Sequence, residues 1–304
     1  MNYKNIIRSR RLRLIILQML SWVPDSIMIR LQYWLHNGRF LNINNPKRFT
    51  EKIQWYKLYY RNPILWRCVD KYEVREYLRE KGYSHYLNEL YCIENNIENI
   101  DFTHLPERYV VKATSGGGSN WVYVCKNNNA ESQSEILKRF KGVGGQTNKL
   151  NPGREWAYEK MPPNRIMVEE FIYPEKGQDC LTDYKFYCFG GKPMYCQVIA
   201  DRTTKETIDF YDMDWNHMHF YGLNPECKQS VQTRHKPKGY DEMIKLASEL
   251  SQDFPFVRVD LYNVDGRIYF GELTFYPASG YGAFTPDNID FEIGDLFVLP
   301  SKNI

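Results

Sequence analysis

The stretch from Phe256 to Pro277, FVRVDLYNVDGRIYFGELTFYP, constrains this chain more than any other. Two runs that alternate apolar and polar residues flank Asn263-Val264-Asp265-Gly266, the pattern of a β-hairpin. That tetrad suits a three-residue loop, a type I turn closed by a glycine in the left-handed region. Such a loop sets Asn263 opposite Arg267, Asp260 opposite Phe270 and Arg258 opposite Glu272. Arg258, Asp260, Glu272 and Thr274 then share one face, and Val257, Val259, Leu261, Tyr269, Leu273 and Phe275 share the other, ready to enter a core. A two-residue loop would put Asp260 and Glu272 on opposite faces. Two carboxylates side by side on rigid strands suit a hard cation such as Mg²⁺ carrying substrate phosphates. A solvated hairpin face is the competing account.

At 304 residues the chain has room for two or three packed subdomains. A net charge of +3 is too mild to argue for nucleic acid. Aromatic residues make up 15%, with 24 tyrosines, which suits sugar or base stacking and core packing equally well. Seven cysteines, an odd number without a CxxC pair, fit free thiols in a reducing compartment, so a cytoplasmic location is expected. Lys4, Arg8, Arg10, Arg11 and Arg13 precede an apolar run, Leu14 to Val23, that is too short to span a bilayer. Two helices packed on the body explain this region; peripheral contact with the inner face of a membrane is the alternative.

Residues 1–69 read as a helical extension, including a helix over 50–60 that Thr50 would cap. A second helix runs from near Asp70 to Lys81, where Gly82 stops it. Strands are expected at 89–93, 108–112, 121–126 and 166–172, a helix at 131–140, and a strand pair over 183–200 turning at Gly190-Gly191. A helix over 240–253 leads into the hairpin. The fold class is mixed α+β with antiparallel sheets, divided as 1–69, 70–172 and 173–304.

Lys112 ends an apolar strand and precedes Ser115-Gly116-Gly117-Gly118-Ser119. Glycines let backbone amides approach a polyphosphate closely, and the lysine adds a compact positive charge. The loop is not a Walker A sequence, since no Gly-Lys-Ser/Thr follows. Met167 to Ile172 reads as a buried strand whose backbone groups could meet an adenine edge. Asp183 and Lys185 share one strand face, as a phosphate-binding pair or a structural salt bridge. His217-x-His219 lacks a third ligand at suitable spacing and is discounted as a metal site.

The order of these parts resembles the ATP-grasp carboxylate–amine ligases. More closely, NPKRFTEKIQWYKLY (45–59), VDKYEVREYLREKG (69–82), REWAYEKMPPNRIMVEEFI (154–172), DYKFYCFGGKP (183–193) and the 256–280 stretch resemble the TupA-like ATP-grasp family of bacterial surface-polysaccharide loci. The resemblance spans roughly residues 40–297. It implies an ATP-grasp fold, two α+β subdomains that clamp ATP, with Mg²⁺ as cofactor. It further implies that Lys71 and Lys112 hold the α- and β-phosphates and residues 115–119 close over the phosphates. Glu169, Glu170 and Ile172 would meet adenine, and Glu175 or Asp179 the ribose. Lys185, oriented by Asp183, would contact phosphate; Asp260, Glu272 and Thr274 would ligate the metal; Arg258 would stabilise the oxyanion formed when an amine attacks an acyl phosphate. Thr274 stands where the superfamily commonly has Asn. The helical extension replaces the usual Rossmann-like domain.

The implied activity is ATP-dependent amide formation between a carboxylate, a uronic acid of a surface glycan, and an amino acid or small amine. The uronate partner would be a sugar nucleotide, a lipid-linked saccharide or a polymer. Arg154 and Arg202 are candidates to grip a carboxylate, against surface ion pairing, and Trp156 and Tyr158 to stack on a sugar. A kinase or a glycosyltransferase of the same pathway is the alternative, and a non-catalytic glycan-binding module is a third.

Overall fold

The computed structural model describes residues 9–115, 121–146, 151–223, 227–231 and 233–302; of Arg10 and Arg11 only the backbone is described. By contact the chain divides into two compact units. The first, here the loop unit, comprises Pro63–Lys149 and Ala157–Glu175; the second, the hairpin unit, comprises Met1–Asn62, Leu150–Trp156 and Lys176–Ile304. Residues 9–62 group by contact with the C-terminal part of the chain.

The loop unit contains α4 (Leu65–Val69), α5 (Glu73–Glu80), β1 (Leu90–Glu94), β2 (Tyr109–Ala113), β3 (Val122–Cys125), α6 (Ala130–Phe140) and β4 (Ile166–Glu170). Its strands form an antiparallel sheet in the order β1-β4-β2-β3. Strand alternation sends Tyr109, Val111, Ile166 and Val168 into a core with Ile97, Ile136 and Phe140. Lys112, Met167 and Glu169 occupy the opposite face. Helix α5 begins where the Asp70 carboxylate accepts hydrogen bonds from the Tyr72 and Glu73 amides, both at 2.9 Å. Gly82, at φ +84°, ends the turn after it. The short helix α7 (Trp156–Glu159) lies where the chain passes between units.

The hairpin unit contains α1 (Arg10–Met19), α2 (Asp25–Asn37), α3 (Phe49–Tyr59), β5 (Asp183–Phe189), β6 (Lys192–Ala200), β7 (Thr207–Tyr211), β8 (His217–Met218), β9 (Tyr221–Gly222), α8 (Tyr240–Ser251), β10 (Phe256–Val264), β11 (Arg267–Thr274), β12 (Phe284–Thr285) and α9 (Asn288–Leu296). The main sheet runs β11-β10-β5-β6-β7-β8, antiparallel throughout. Gly190 and Gly191 turn β5 into β6 with φ of +53° and +82°, as expected. Helix α3 is held by chemistry from far along the chain. Phe49 packs at 5.0 Å from Phe256, and Lys52 Nζ donates to the carbonyls of Gly294 and Phe297 at 2.7 and 2.9 Å. Thr50 does not cap this helix. It sits within the first turn, where its amide and hydroxyl donate to Asp290 at 2.9 and 2.7 Å. The capping acceptor is Glu51, which takes hydrogen bonds from the Lys47 and Arg48 amides.

The hairpin corrects the expected turn. Val264 pairs with Arg267, so the loop is the two-residue Asp265-Gly266, with φ of +52° and +96°. Both central residues are left-handed, the geometry whose twist matches the flanking strands. A two-residue loop would have separated the carboxylates, but a bulge reverses that. Leu261 pairs with Phe270 and Asp260 with Glu272, which leaves Gly271 without a cross-strand partner. A Cβ at Gly271 would lie 2.9 Å from the Asp260 carbonyl oxygen, so the bulge needs glycine. The bulge also moves Tyr269 to the polar face, opposite Tyr262, and gives Ile268 and Phe270 to the core face.

Candidate active site

The hairpin unit gathers the expected polar residues on one sheet face. Asp260 stands opposite Lys185 on β5 and Glu272 on β11, while Arg258 stands opposite Thr274, not Glu272 as expected. Arg258 grips Asp260 with two bonds of 2.7 Å, Nε to Oδ1 and Nη2 to Oδ2. Its Nη2 also donates to Thr274 Oγ1 at 3.1 Å and Glu272 Oε1 at 3.3 Å. The Thr274 hydroxyl in turn donates to Glu272 Oε1 at 3.0 Å. Lys185 bonds Asp260 Oδ2 and lies 3.2 Å from Asp183, whose other oxygen pairs with Arg202 at 2.9 Å.

Three cations, Lys185, Arg202 and Arg258, thus face three carboxylates, Asp183, Asp260 and Glu272. The network is self-neutralised and its centre is dry: Asp260 is 3% and Arg258 9% exposed. Burial alone would raise the Asp260 carboxyl, but Arg258 and then Lys185 outweigh it and hold the group below its ordinary value. Burial likewise works against the Arg258 charge, and Asp260 more than restores it. Glu272 is the exposed member, with half its side chain in solvent.

Among the described residues no group of three or more His, Cys, Asp or Glu side chains is arranged to hold a metal. The donors at hand are two carboxylates, directly opposed, plus a hydroxyl. All are oxygens, which suits Mg²⁺, an ion that commonly takes one or two carboxylates and completes its shell with water and phosphate. Asp260 Oδ1 accepts from Arg258 Nε, and the Glu272 side chain is half exposed on the edge strand β11. The residues fit a shared Mg²⁺ site and do not fit an all-protein cage.

The loop unit presents a second cluster. Lys112 on β2 bonds Glu169 on β4, and Glu169 also lies 3.6 Å from Arg75. Arg75 is buried and further donates to Asn88 Oδ1 at 2.9 Å. Burial pushes the Arg75 guanidinium down and Glu169 opposes that shift. The Lys71 amide donates to the Thr114 carbonyl at 3.0 Å, which ties Lys71 to the root of the glycine loop. Ser115 is buried, and its amide and hydroxyl both bond Asn164 Oδ1. These bonds hold Ser115 in place at the start of the loop sequence. Gly116, Gly117, Gly118 and Ser119 lie outside the described residues.

The remaining expected residues divide. The Glu169 side chain points to Lys112, while the Glu170 amide donates to the Glu89 carbonyl at 2.8 Å and Glu170 Oε2 accepts from the Glu89 amide at 3.1 Å. Ile172 and Glu175 are half-buried and Asp179 is exposed. Arg154 is a correction. Its guanidinium donates to Leu20 O at 2.7 Å, Val23 O at 3.0 Å and Asp25 at 2.8 Å, so it closes the α1–α2 turn. Trp156 has the Arg61 guanidinium over its ring at 5.3 Å. His217 bonds the buried Asp209 at 3.1 Å instead of pairing with His219 around a metal. Sequence reasoning missed Arg75, Asn164 and a buried lysine, Lys57. Lys57 Nζ donates to the Ser279 hydroxyl at 2.8 Å, and burial pulls it down to about 8 against the influence of Glu155.

One antiparallel sheet carries R-x-D…E-x-T and another carries a lysine before a glycine loop, the parts expected of an ATP-grasp protein. The family model for TupA-like ATP-grasp proteins matches residues 51–298, and the chain belongs to that family. Among solved structures, D-alanine–D-alanine ligase from Bacillus anthracis is 17% identical, with 76% of this chain and 66% of that chain covered, at a TM-score of 0.45. The Helicobacter pylori D-alanine–D-alanine ligase is 15% identical over 76% and 61% of the two chains, with a TM-score of 0.42. The ATP-grasp ligase PsnB, complexed with minimal precursor, Mg and ADP, is 13% identical over 74% and 57%, with a TM-score of 0.37. The chain thus spans under two thirds of these neighbours' lengths. Comparison with curated proteins yields no match.

Proposed function

We propose that this protein is an ATP-dependent ligase that joins a carboxylate to an amine through an acyl phosphate. The observation that carries the reading is the self-neutralised network around Asp260: a dry, rigid set of charges with one exposed carboxylate edge, suited to receiving a metal-bound polyphosphate. Asp260 and Glu272, with Thr274, would hold Mg²⁺, which when bound neutralises phosphate charge. Lys185 would contact phosphate, released from Asp260 as the incoming charge competes for it, and Asp183 would keep its ammonium aimed. Lys112 is parked on Glu169 and would shift to phosphate in the same way, while Lys71 and residues 115–119 would cover the phosphates. Glu170 and Ile172 are the proposed adenine contacts, and Glu175 or Asp179 the ribose contact. Arg258 would stabilise the oxyanion as the amine attacks.

By family, the carboxylate substrate is proposed to be a uronic acid of a bacterial surface glycan and the amine an amino acid or small amino alcohol. Arg202, half-exposed beside Asp183, is the remaining candidate to meet a substrate carboxylate. The test incubates the protein with Mg²⁺-ATP, uronate glycans and a panel of amines, and follows products by mass spectrometry. A condensation product with free ADP and inorganic phosphate is expected; phosphate retained on the sugar would instead make the protein a kinase.

A further inference from the structure

Helix α1, which also carries Arg10, Arg11, Arg13 and Gln18, has apolar residues both at a cavity and in solvent. Ile16, Leu17 and Leu20 line a cavity of about 450 Å³, while Leu12, Ile15 and Met19 are exposed. Helix α2 repeats the arrangement. Met28 is buried at the cavity, Leu31 lines the cavity and is also exposed, and Ile27 and Trp34 are exposed. Trp22, between the two helices, is 79% exposed. An exposed apolar patch of this kind marks an interaction surface. Nothing among the described residues covers it.

The charge pattern indicates what would. Residues 1–24 carry Lys4, Arg8, Arg10, Arg11 and Arg13 and no Asp or Glu. Basic residues close in sequence to exposed Trp, Ile, Leu and Met complement an anionic bilayer surface. Arg13 itself lines the cavity. The cavity's hydrocarbon comes from both helices, and its polar wall is formed by Gln32 and His36 of α2 with Ser279 and Tyr281. The Tyr281 hydroxyl donates to Gln32 Oε1 at 2.6 Å, and the Tyr281 ring stacks on His36 at 4.6 Å. Its volume falls within the range of small-ligand sites. Ser279 follows Thr274 by five residues, so the polar wall lies within about 18 Å of the candidate metal site by chain reach alone.

We propose that this cavity holds the hydrocarbon chain of a phosphate-linked lipid. Arg13 meets the phosphate and the exposed stripes of α1 and α2 rest in an anionic bilayer face. Resting on the ligase reading, the carboxylate substrate then arrives on a membrane lipid carrier. Lipid binding by the cavity stands apart from that reading and is tested separately from it.

The experiment titrates farnesyl phosphate into the full chain by calorimetry and floats the protein with phosphatidylcholine vesicles containing or lacking phosphatidylglycerol. Saturable farnesyl phosphate binding is expected. Leu31→Glu, at a position that is both exposed and cavity-lining, should weaken it at least tenfold, and Arg13→Ala should weaken it several-fold. Met19→Glu/Trp22→Glu should abolish flotation with phosphatidylglycerol vesicles. These exposed positions can change without unfolding the protein, which an unchanged melting temperature checks. Mg²⁺-ATP titration of the same variants separates the two readings: unaltered ATP binding isolates the lipid site. Lipid binding without ATP binding would retain this inference and remove the ligase. No saturable binding, equal binding by Leu31→Glu, or a dimer in light scattering that Met19→Glu/Trp22→Glu dissolves would overturn the lipid site.

Discussion

Replacing Gly271 by alanine isolates the device that brings Asp260 and Glu272 together. The added Cβ would stand 2.9 Å from the Asp260 carbonyl oxygen and 3.4 Å from its carbonyl carbon. The first distance is roughly 0.6 Å short of a comfortable contact. The obstructing atom is backbone on a strand paired on both sides, with β5 and with β11, so it has little room to yield. Overpacking of this sort costs ~1–3 kcal/mol. In a folding unit of this size that lowers the melting temperature by ~2–4 °C per kcal/mol. The larger consequence is local. Relief comes most easily by opening the bulge, which turns Glu272 away from Asp260 because strand side chains alternate. Mg²⁺-ATP affinity, measured by calorimetry on protein shown to be folded, should fall at least tenfold. Alanine with wild-type melting temperature and wild-type affinity would refute the role given to the bulge.

Four further outcomes follow from the same geometry. Arg258→Ala should lower turnover ~10²–10³-fold, the usual effect of removing one well-placed charge donor, as read by ADP release; near-wild-type turnover removes Arg258 from catalysis. Glu169→Gln leaves the buried Arg75 without its carboxylate and should destabilise by ~3 kcal/mol in thermal unfolding. Lys112→Met should cost less, since Lys112 is partly exposed; the reverse order would contradict the pairing. Lys57 titrates near 8 in the fold against 10.5 unfolded, so the unfolded chain binds the extra proton between those values. Stability from this group therefore rises with pH from about 8 to 10.5, on the order of 3 kcal/mol, and the rise should be absent in Lys57→Met when urea midpoints are compared.

The sequence carried the strands, the polar identity of the hairpin and the family, and it misplaced details set by distant contacts. Alternation in 256–277 was readable, yet the turn length was not, because Asp265 takes a left-handed φ that its residue type allows without announcing. The bulge at Gly271 had a visible sign, a glycine inside a strand pattern, whose meaning depends on the backbone across the ladder. Thr50 looked like a cap by local spacing, but Asp290, 240 residues away, decided its partner. Arg154 looked like a ligand for carboxylates and instead binds the carbonyls that end α1. Lys112 and Glu169 were each singled out, while their pairing across 57 residues required the sheet order. Arg75 sits mid-helix in a charged run, where nothing local distinguishes a buried guanidinium from a solvated one.

The central claim is that carboxylates from β10 and β11 jointly receive magnesium with a nucleotide triphosphate. Calorimetric titration of Mg²⁺-ATP into wild type and Asp260→Asn tests it most directly. Saturable binding to wild type, dependent on Mg²⁺ and weakened at least tenfold in the folded variant, is predicted. Equal binding by both proteins, or none by wild type at millimolar nucleotide, would contradict the account.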